Sequence, residues 1–144
     1  AGLDLSAEPT PGLYALSLDD GSVQWFAAKD FSAQAREALG FWPGLSAGIV
    51  AADGIVVSGD LAGQLEVYDA VSGKILWRYK TAQSFITVNG REAEGGSIDA
   101  HGPLLVDDLL LVSSGYAGVG MDGGNAFLVF QLAESINGSG SEPE

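Results

Sequence analysis

A repeated turn-and-tryptophan pattern is the sequence feature that most constrains the fold. It occurs once in residues 12–28, GLYALSLDDGSVQWFAA, and again in residues 64–80, QLEVYDAVSGKILWRYK. Each copy has a small apolar residue, then a glycine six positions on, then a tryptophan four positions further, and these residues are Ala15, Gly21 and Trp25, and Val67, Gly73 and Trp77. The tryptophans lie 52 residues apart. Repeats at such a period are typical of propellers, solenoids and other arrays.

Each copy of the pattern predicts a β-hairpin. Apolar runs flank a turn that holds Asp69, Ser72 and Gly73 in one copy, and Asp19, Asp20 and Gly21 in the other. Aspartate and serine side chains bond back to the backbone, and glycine adopts the positive φ of a tight turn. A tryptophan at a fixed place after each turn indicates units that pack against one another, with an indole N–H that needs a partner when buried.

The spacing of short β-rich runs predicts an all-β fold made of propeller blades. Residues 46–80 contain four such runs separated by turn residues, which is the pattern of one four-stranded antiparallel meander. Residues 12–28 supply half a blade, and residues 103–132 supply three strands of an incomplete blade. We therefore expect residues 12–132 to form a partial β-propeller, about two to three blades of a larger ring.

Three segments outside the predicted blades differ in composition and pattern. Residues 1–11 are predicted to be a linker or an edge strand, residues 29–40 one short helix, and residues 133–144 a disordered acidic tail. An isolated arc of blades would leave hydrophobic strand edges exposed at both ends. We therefore expect the rest of the propeller, from a longer chain or from other subunits, as the partner of this arc.

Composition excludes several classes of function. Acidic residues outnumber basic ones 19 to 6, giving a formal net charge of −13, which argues against binding to nucleic acid or to anionic membranes. There is no cysteine, so a disulfide, a thiolate metal site and a cysteine nucleophile are excluded. The sequence contains no apolar run of about 18 residues, so no membrane span is predicted.

The second copy of the pattern carries a family resemblance. Its template Val67-x-Asp69-x-x-Ser72-Gly73-x-x-x-Trp77 resembles the tryptophan-docking repeat of the quinoprotein (PQQ-dependent) dehydrogenase propellers. In that family the tryptophan of one blade packs against the neighbouring blade. The first copy keeps the alanine, glycine and tryptophan but has Ser17 where the pattern prefers aspartate. The resemblance therefore implies that four residues of the repeats have a structural docking role: Gly21 and Trp25 in the first copy, and Gly73 and Trp77 in the second.

A second stretch refines the resemblance. Residues 95–116, GGSIDAHGPLLVDDLLLVSSGY, are similar to the C-terminal part of polyvinyl-alcohol-dehydrogenase-like members. The resemblance implies oxidation of an alcohol, with PQQ and Ca²⁺ as cofactors, electrons passed to an external acceptor, and a periplasmic or secreted location. Noncatalytic propellers carry the same repeat, so an interaction or assembly scaffold is the alternative.

The long loops supply the candidate site residues. Asp99 and His101 are the candidate catalytic pair, because Asp99-x-His101 on an extended segment would place a base and an orienting carboxylate on one face. The alternative is a surface loop whose aspartate forms a turn before Gly-Pro. The candidate cofactor-binding residues are Asn89, Ser97, Tyr116 and Asn125. Asp99, Asn89, Asp122 and Asn125 are candidate oxygen donors to Ca²⁺, but their spacing does not specify calcium, so the metal ligands stay unassigned.

Overall fold

A computed structural model describes residues 12–29, 37, 44–118 and 121–131, and the ordered elements in these ranges are short strands in antiparallel pairs. The predictions for residues 1–11 and 133–144, and most of the helix predicted at 29–40, lie outside the described residues. The strands are β1 (Gly12–Leu16), β2 (Val23–Ala28), β3 (Val50–Ala52), β4 (Ile55–Gly59), β5 (Gln64–Asp69), β6 (Ile75–Lys80), β7 (Ser84–Ile86), β8 (Glu92–Glu94), β9 (Leu104–Val106), β10 (Leu109–Ser114) and β11 (Ala126–Gln131).

The central unit is a four-stranded antiparallel meander in the order β3-β4-β5-β6. Val67 lies opposite Val57 on one side and Trp77 on the other. The turn from β3 to β4 places both Asp53 and Gly54 at positive φ, the conformation that suits a two-residue hairpin loop. The predicted all-β fold is confirmed by this sheet and by the other antiparallel sheets of the described residues.

Two further sheets flank the meander. β1 and β2 form a hairpin on one side, and β9, β10 and β11 form a three-stranded sheet on the other, in the order β11-β10-β9. The main core lies between the meander and the three-stranded sheet, and its buried members are Ala47, Val57, Leu65, Ile98, Leu110 and Val112. The three sheets therefore stack as successive blades do, each burying a face against the next.

The connection at residues 81–101 is more ordered than the sequence pattern indicates. It contains the β7–β8 hairpin, closed by a turn in which Gly90 has a φ of +76°. Each strand has only three residues, and the segment is mostly polar, so its periodicity was too short to predict a hairpin.

The connections sort to the two ends of the sheets. Because neighbouring strands run antiparallel, successive connections lie alternately at two ends of the sheets. One end, here called the loop end, carries the connections β2–β3, β4–β5, β6–β9 and β10–β11. The tight turns β1–β2, β3–β4, β5–β6 and β9–β10 lie at the other, the turn end. Contacts between connections hold the loop end together, since Ile98 N–H donates to the carbonyl of Asp60 at 3.0 Å and Ser97 N–H to that of Asp122 at 2.8 Å.

At the turn end, a tryptophan joins the first hairpin to the meander. Trp25 Nε1 donates to the carbonyl of Ala70 at 2.9 Å, and its ring stacks on Tyr68 with centroids 6.4 Å apart. Gly73 has a φ of +69°, and a Cβ at this position would lie 2.6 Å from Trp25 Cδ2. Trp77 holds the corresponding place on β6 and meets Phe130 of β11 edge-to-face at 5.2 Å.

Candidate functional site

A cleft with several polar lining residues opens at the loop end, beside the three-stranded sheet. It has a volume of about 280 Å³, and the side chains that line it include Asp99, His101, Ser113, Tyr116, Asn125 and Phe127. The structure thus brings together Asp99, His101, Tyr116 and Asn125, all of which the sequence singled out as candidates. We refer to this site as the polar cleft.

The segment that carries Asp99 and His101 is anchored on the meander. Ile98 is 1% exposed and packs so closely on Gly59 that a Cβ there would lie 2.4 Å from Ile98 Cγ2. Ala100 has a φ of +50°, so the backbone turns between Asp99 and His101 instead of running extended as the sequence analysis assumed. Both residues still line the polar cleft.

The opposite wall comes from residues 113–116 and 124–127. The N–H groups of Gly115 and Tyr116 both donate to the carbonyl of Ser97, at 2.9 and 3.0 Å. Asn125 pairs with Glu94 through two hydrogen bonds, from Asn125 N–H to the carbonyl at 2.7 Å and from Glu94 N–H to Asn125 Oδ1 at 3.0 Å. These bonds fix the backbone at Tyr116 and Asn125. Residues 94–98 therefore hold both walls of the polar cleft.

Ser97, a predicted cofactor contact, lies in the interior under the loops. Its side chain is fully buried, donates to the carbonyl of Leu61 and accepts from Asp122 N–H at 3.0 Å. These bonds occupy the hydroxyl and favour a structural role over a direct ligand contact.

Two further hydroxyls, on Thr81 and Ser114, were missed by sequence reasoning. Ser114 Oγ lies 2.8 Å from Thr81 Oγ1, which donates to the carbonyl of Gly63 at 2.9 Å, and Ser114 Oγ also accepts from Gly96 N–H at 2.9 Å. Both side chains are buried, and they join loops that are far apart in sequence. Their only sequence signal is a hydroxyl residue at a strand end beside glycine-rich loops.

The predicted calcium donors do not converge. Asp99 and Asn125 line the polar cleft, whereas Asp122 lines a neighbouring depression and Asn89 sits in the exposed β7–β8 turn. Among the residues that the structure describes, no group of three or more His, Cys, Asp or Glu side chains could hold a metal ion. The four candidate oxygen donors therefore do not form a Ca²⁺ site together.

An ion network, buried except for the exposed side chain of Arg78, lies at the same end of the sheets, between the first hairpin and the meander. Lys29 Nζ lies 3.2 Å from Asp60 Oδ2 and also binds Glu66, and Arg78 Nε donates to Glu66 Oε1 at 2.6 Å. The hydroxyl of Tyr68 donates to Glu66 as well. This set, Lys29, Asp60, Glu66, Tyr68 and Arg78, is called the ion network below.

The ion network shifts two pKa values in opposite directions. Burial by itself raises the pKa of Glu66, but the hydrogen bonds from Lys29, Tyr68 and Arg78 outweigh burial and hold that pKa below its ordinary value. Burial, together with the hydrogen bond to Glu66, raises the pKa of the Tyr68 phenol. Glu66 is therefore a carboxylate, and Tyr68 a neutral donor, at neutral pH.

No helix among the described residues is long and apolar enough to cross a membrane.

Comparisons with known proteins place this geometry among the propellers. A PQQ-type family model described as outer membrane protein assembly factor BamB matches residues 10–139. Two curated relatives are polyvinylalcohol dehydrogenases: that of a Pseudomonas species is 33% identical over 75% of this chain, and that of a Sphingopyxis species is 31% identical over 79%. The chain spans 17% and 18% of the length of these two relatives.

Solved structures agree on the fold. The crystal structure of BamB from Moraxella catarrhalis matches with a TM-score of 0.50 and 19% identity, over 73% of this chain and 29% of that one. A europium-containing methanol dehydrogenase matches with a TM-score of 0.51 and 23% identity, over 82% of this chain and 21% of that one. The arc described above thus corresponds to a minor part of each larger propeller.

Proposed function

The chain belongs to the family of PQQ-type β-propellers, and from this membership we propose that it is part of a PQQ-dependent dehydrogenase that oxidises an alcohol and passes the electrons to an external acceptor. The relatives above 30% identity are both polyvinylalcohol dehydrogenases, which favours an alcohol as substrate. The observation that carries the proposal for this chain is the polar cleft, where Asp99, His101, Tyr116 and Asn125 meet at the loop end. The resemblance also leads us to propose a periplasmic or secreted location.

The side chains of the polar cleft suit the proton chemistry of alcohol oxidation. In the proposed reaction, Asp99 or His101 accepts the proton that leaves the alcohol hydroxyl, as a general base does. The Tyr116 hydroxyl and the Asn125 amide can donate hydrogen bonds that orient the substrate oxygen. The bound quinone would supply the redox chemistry.

The cofactor site as a whole extends beyond the described residues. A cleft of about 280 Å³ lies just below the range for ligand sites, and it opens beside the exposed face of the three-stranded sheet. The described residues fall short of a Ca²⁺ site. In our proposal, therefore, this chain contributes one wall of the active site, and further blades contribute the metal ligands.

The test uses the complete polypeptide that carries this chain, supplied with PQQ and Ca²⁺, and measures reduction of a dye acceptor by polyvinyl alcohol and by short alcohols. We expect Asp99→Asn or His101→Gln to lower kcat by about 100-fold or more, the size typical of a lost general base. The matched control is Asp53→Asn, at the turn end, where Asn tolerates the positive φ. Absence of dye reduction with every alcohol would overturn the proposal.

A noncatalytic scaffold is the second candidate. It is favoured by the family description, which names an assembly factor, and by the lack of a metal-binding group among the described side chains. Absorbance titration with PQQ separates the two candidates, because a scaffold leaves the quinone spectrum unchanged, whereas a dehydrogenase binds the quinone even before any substrate is found.

A further inference from the structure

The ion network and the polar cleft are connected through one residue, Asp60. Its Oδ2 lies 3.2 Å from Lys29 Nζ, and its Oδ1 accepts from Gln64 N–H at 2.8 Å. Its carbonyl accepts from Ile98 N–H at 3.0 Å. The side chain of Asp60 therefore faces the first hairpin, while its backbone holds the residue that directly precedes Asp99.

Neighbours of Asp60 hold the same segment. The carbonyl of Leu61 accepts from Ser97 Oγ, and Gly59 lies directly against Ile98. Three successive residues, 59 to 61, thus contact the two residues before Asp99. Because Ser97 and Ile98 are both buried, a shift of residues 59–61 would be transmitted to the cleft residues that follow Ile98.

The Lys29–Asp60 ion pair is suited to hold residues 59–61 in place. The exposed fractions of the two side chains are 8% and 4%, so the pair is largely shielded from solvent. Removing the Lys29 charge leaves the buried Asp60 carboxylate without the cation that contacts it, and the local structure must rearrange to solvate it.

We propose that Lys29 and Asp60 are positioning residues for the polar cleft, and that their ion pair sets the placement of Asp99 and His101. The proposal rests on the proposed function only in treating the polar cleft as the site. The two residues act through the Asp60–Ile98 hydrogen bond, and neither lines the cleft itself.

Trp25 provides a matched control. It fastens the same strand, β2, to the same meander, but at the turn end, through its bond to the carbonyl of Ala70. Trp25→Phe weakens this attachment without altering the loop end. A purely structural role for Lys29 would give Lys29→Met the same local consequences as Trp25→Phe.

The experiment follows the imidazole Cε1–Hε1 signal of His101 by NMR at fixed pH in the complete polypeptide. His101 is the only histidine among these 144 residues, and His101→Gln identifies its signal. We expect Lys29→Met to move the signal beyond its linewidth, Lys29→Arg to restore it, and Trp25→Phe to leave it in place. Asp60→Asn, which keeps the backbone carbonyl and an acceptor for Gln64, should also move it and guards against a Lys29→Met variant that does not fold.

The proposal is overturned if Lys29→Met and Asp60→Asn move the His101 signal no further than Trp25→Phe does, or if Lys29→Arg fails to restore it. The measurement needs neither cofactor nor substrate. A failure of the dehydrogenase proposal would therefore leave this result unaffected, and the two failures can be told apart.

Discussion

Glu66 shows how a single buried carboxylate makes stability depend on pH. Its pKa in the folded state is lowered from 4.5 by the donors of the ion network. A lowered folded pKa means that the stabilisation is fully present above the unfolded value and is lost as the pH falls through the folded value. We expect the free energy of unfolding to decrease from neutral pH into this acidic range.

The variant Glu66→Gln isolates that contribution. At pH 7 it should be clearly less stable than the parent, because Lys29 loses a buried counter-charge. The difference should shrink in acid, where the parent also loses the charge. Urea unfolding across pH measures this, with exposed Glu92→Gln as control, and a difference that is constant across pH would contradict the explanation.

Gly73 makes a prediction about the docking contact. Gly73→Ala adds a Cβ at positive φ and 2.6 Å from Trp25, whereas Gly21→Ala adds one at positive φ with nothing within 4 Å. We therefore expect Gly73→Ala to cost about 1–3 kcal/mol more than Gly21→Ala in urea unfolding, the typical cost of overpacking. If the two variants lost equal free energy of unfolding, the packing of Trp25 against Gly73 would not be tight enough to exclude a methyl group.

Some site residues could be predicted from the sequence and others could not. Asp99 and His101 lie two positions apart, and both side chains can take part in proton transfer, so the local sequence was enough to select them as candidates. Lys29 and Asp60 are 31 residues apart, and the Thr81–Ser114 contact spans 33. Such pairs form only when loops of different blades meet, and a single sequence carries no signal for that meeting.

Among the elements, the hairpin β1–β2 depends on Trp25 for its attachment to the meander. Trp25→Phe removes the hydrogen bond to Ala70 and part of the ring stacked on Tyr68. We expect a loss of about 1–2 kcal/mol, since the partly buried carbonyl of Ala70 is left without its donor. Thermal unfolding measures this. Trp77→Phe, which loses only ring contacts among the described residues, should cost less, and the reverse order would contradict this role.

The meander was predictable at the element scale, because four apolar runs separated by turn residues leave few other arrangements. The β7–β8 hairpin was not, since strands of three residues are too short to show a periodicity. Trp25 also explains why the repeat was informative: its spacing encodes a contact between consecutive units, which no single hairpin would need.

At the scale of the whole molecule, the arc ends in apolar faces on both sides. Phe26 of the first hairpin is 42% exposed, and on the far sheet Leu104, Phe127 and Val129 are 55%, 63% and 53% exposed. Monomeric proteins seldom leave sheet faces of this kind in water. The chain spans under a fifth of the length of the two polyvinylalcohol dehydrogenases, and we propose that further blades cover these faces.

Val129 tests whether its face is covered. In the complete polypeptide, Val129→Asp should cost about 3 kcal/mol or more, because the charge would be buried against the next blade. Val88→Asp, on the fully exposed β7–β8 turn, should cost little. Chemical denaturation of both variants measures the contrast, and similar small costs would place Val129 in solvent.

An experimental structure of the complete polypeptide tests the central claim most directly. It should show a closed ring of antiparallel blades in which the faces marked by Phe26 and Val129 are each covered by a further sheet, with the polar cleft opening toward the ring axis. A structure in which either face stays in water, or in which the polar cleft faces away from the axis, would contradict the account.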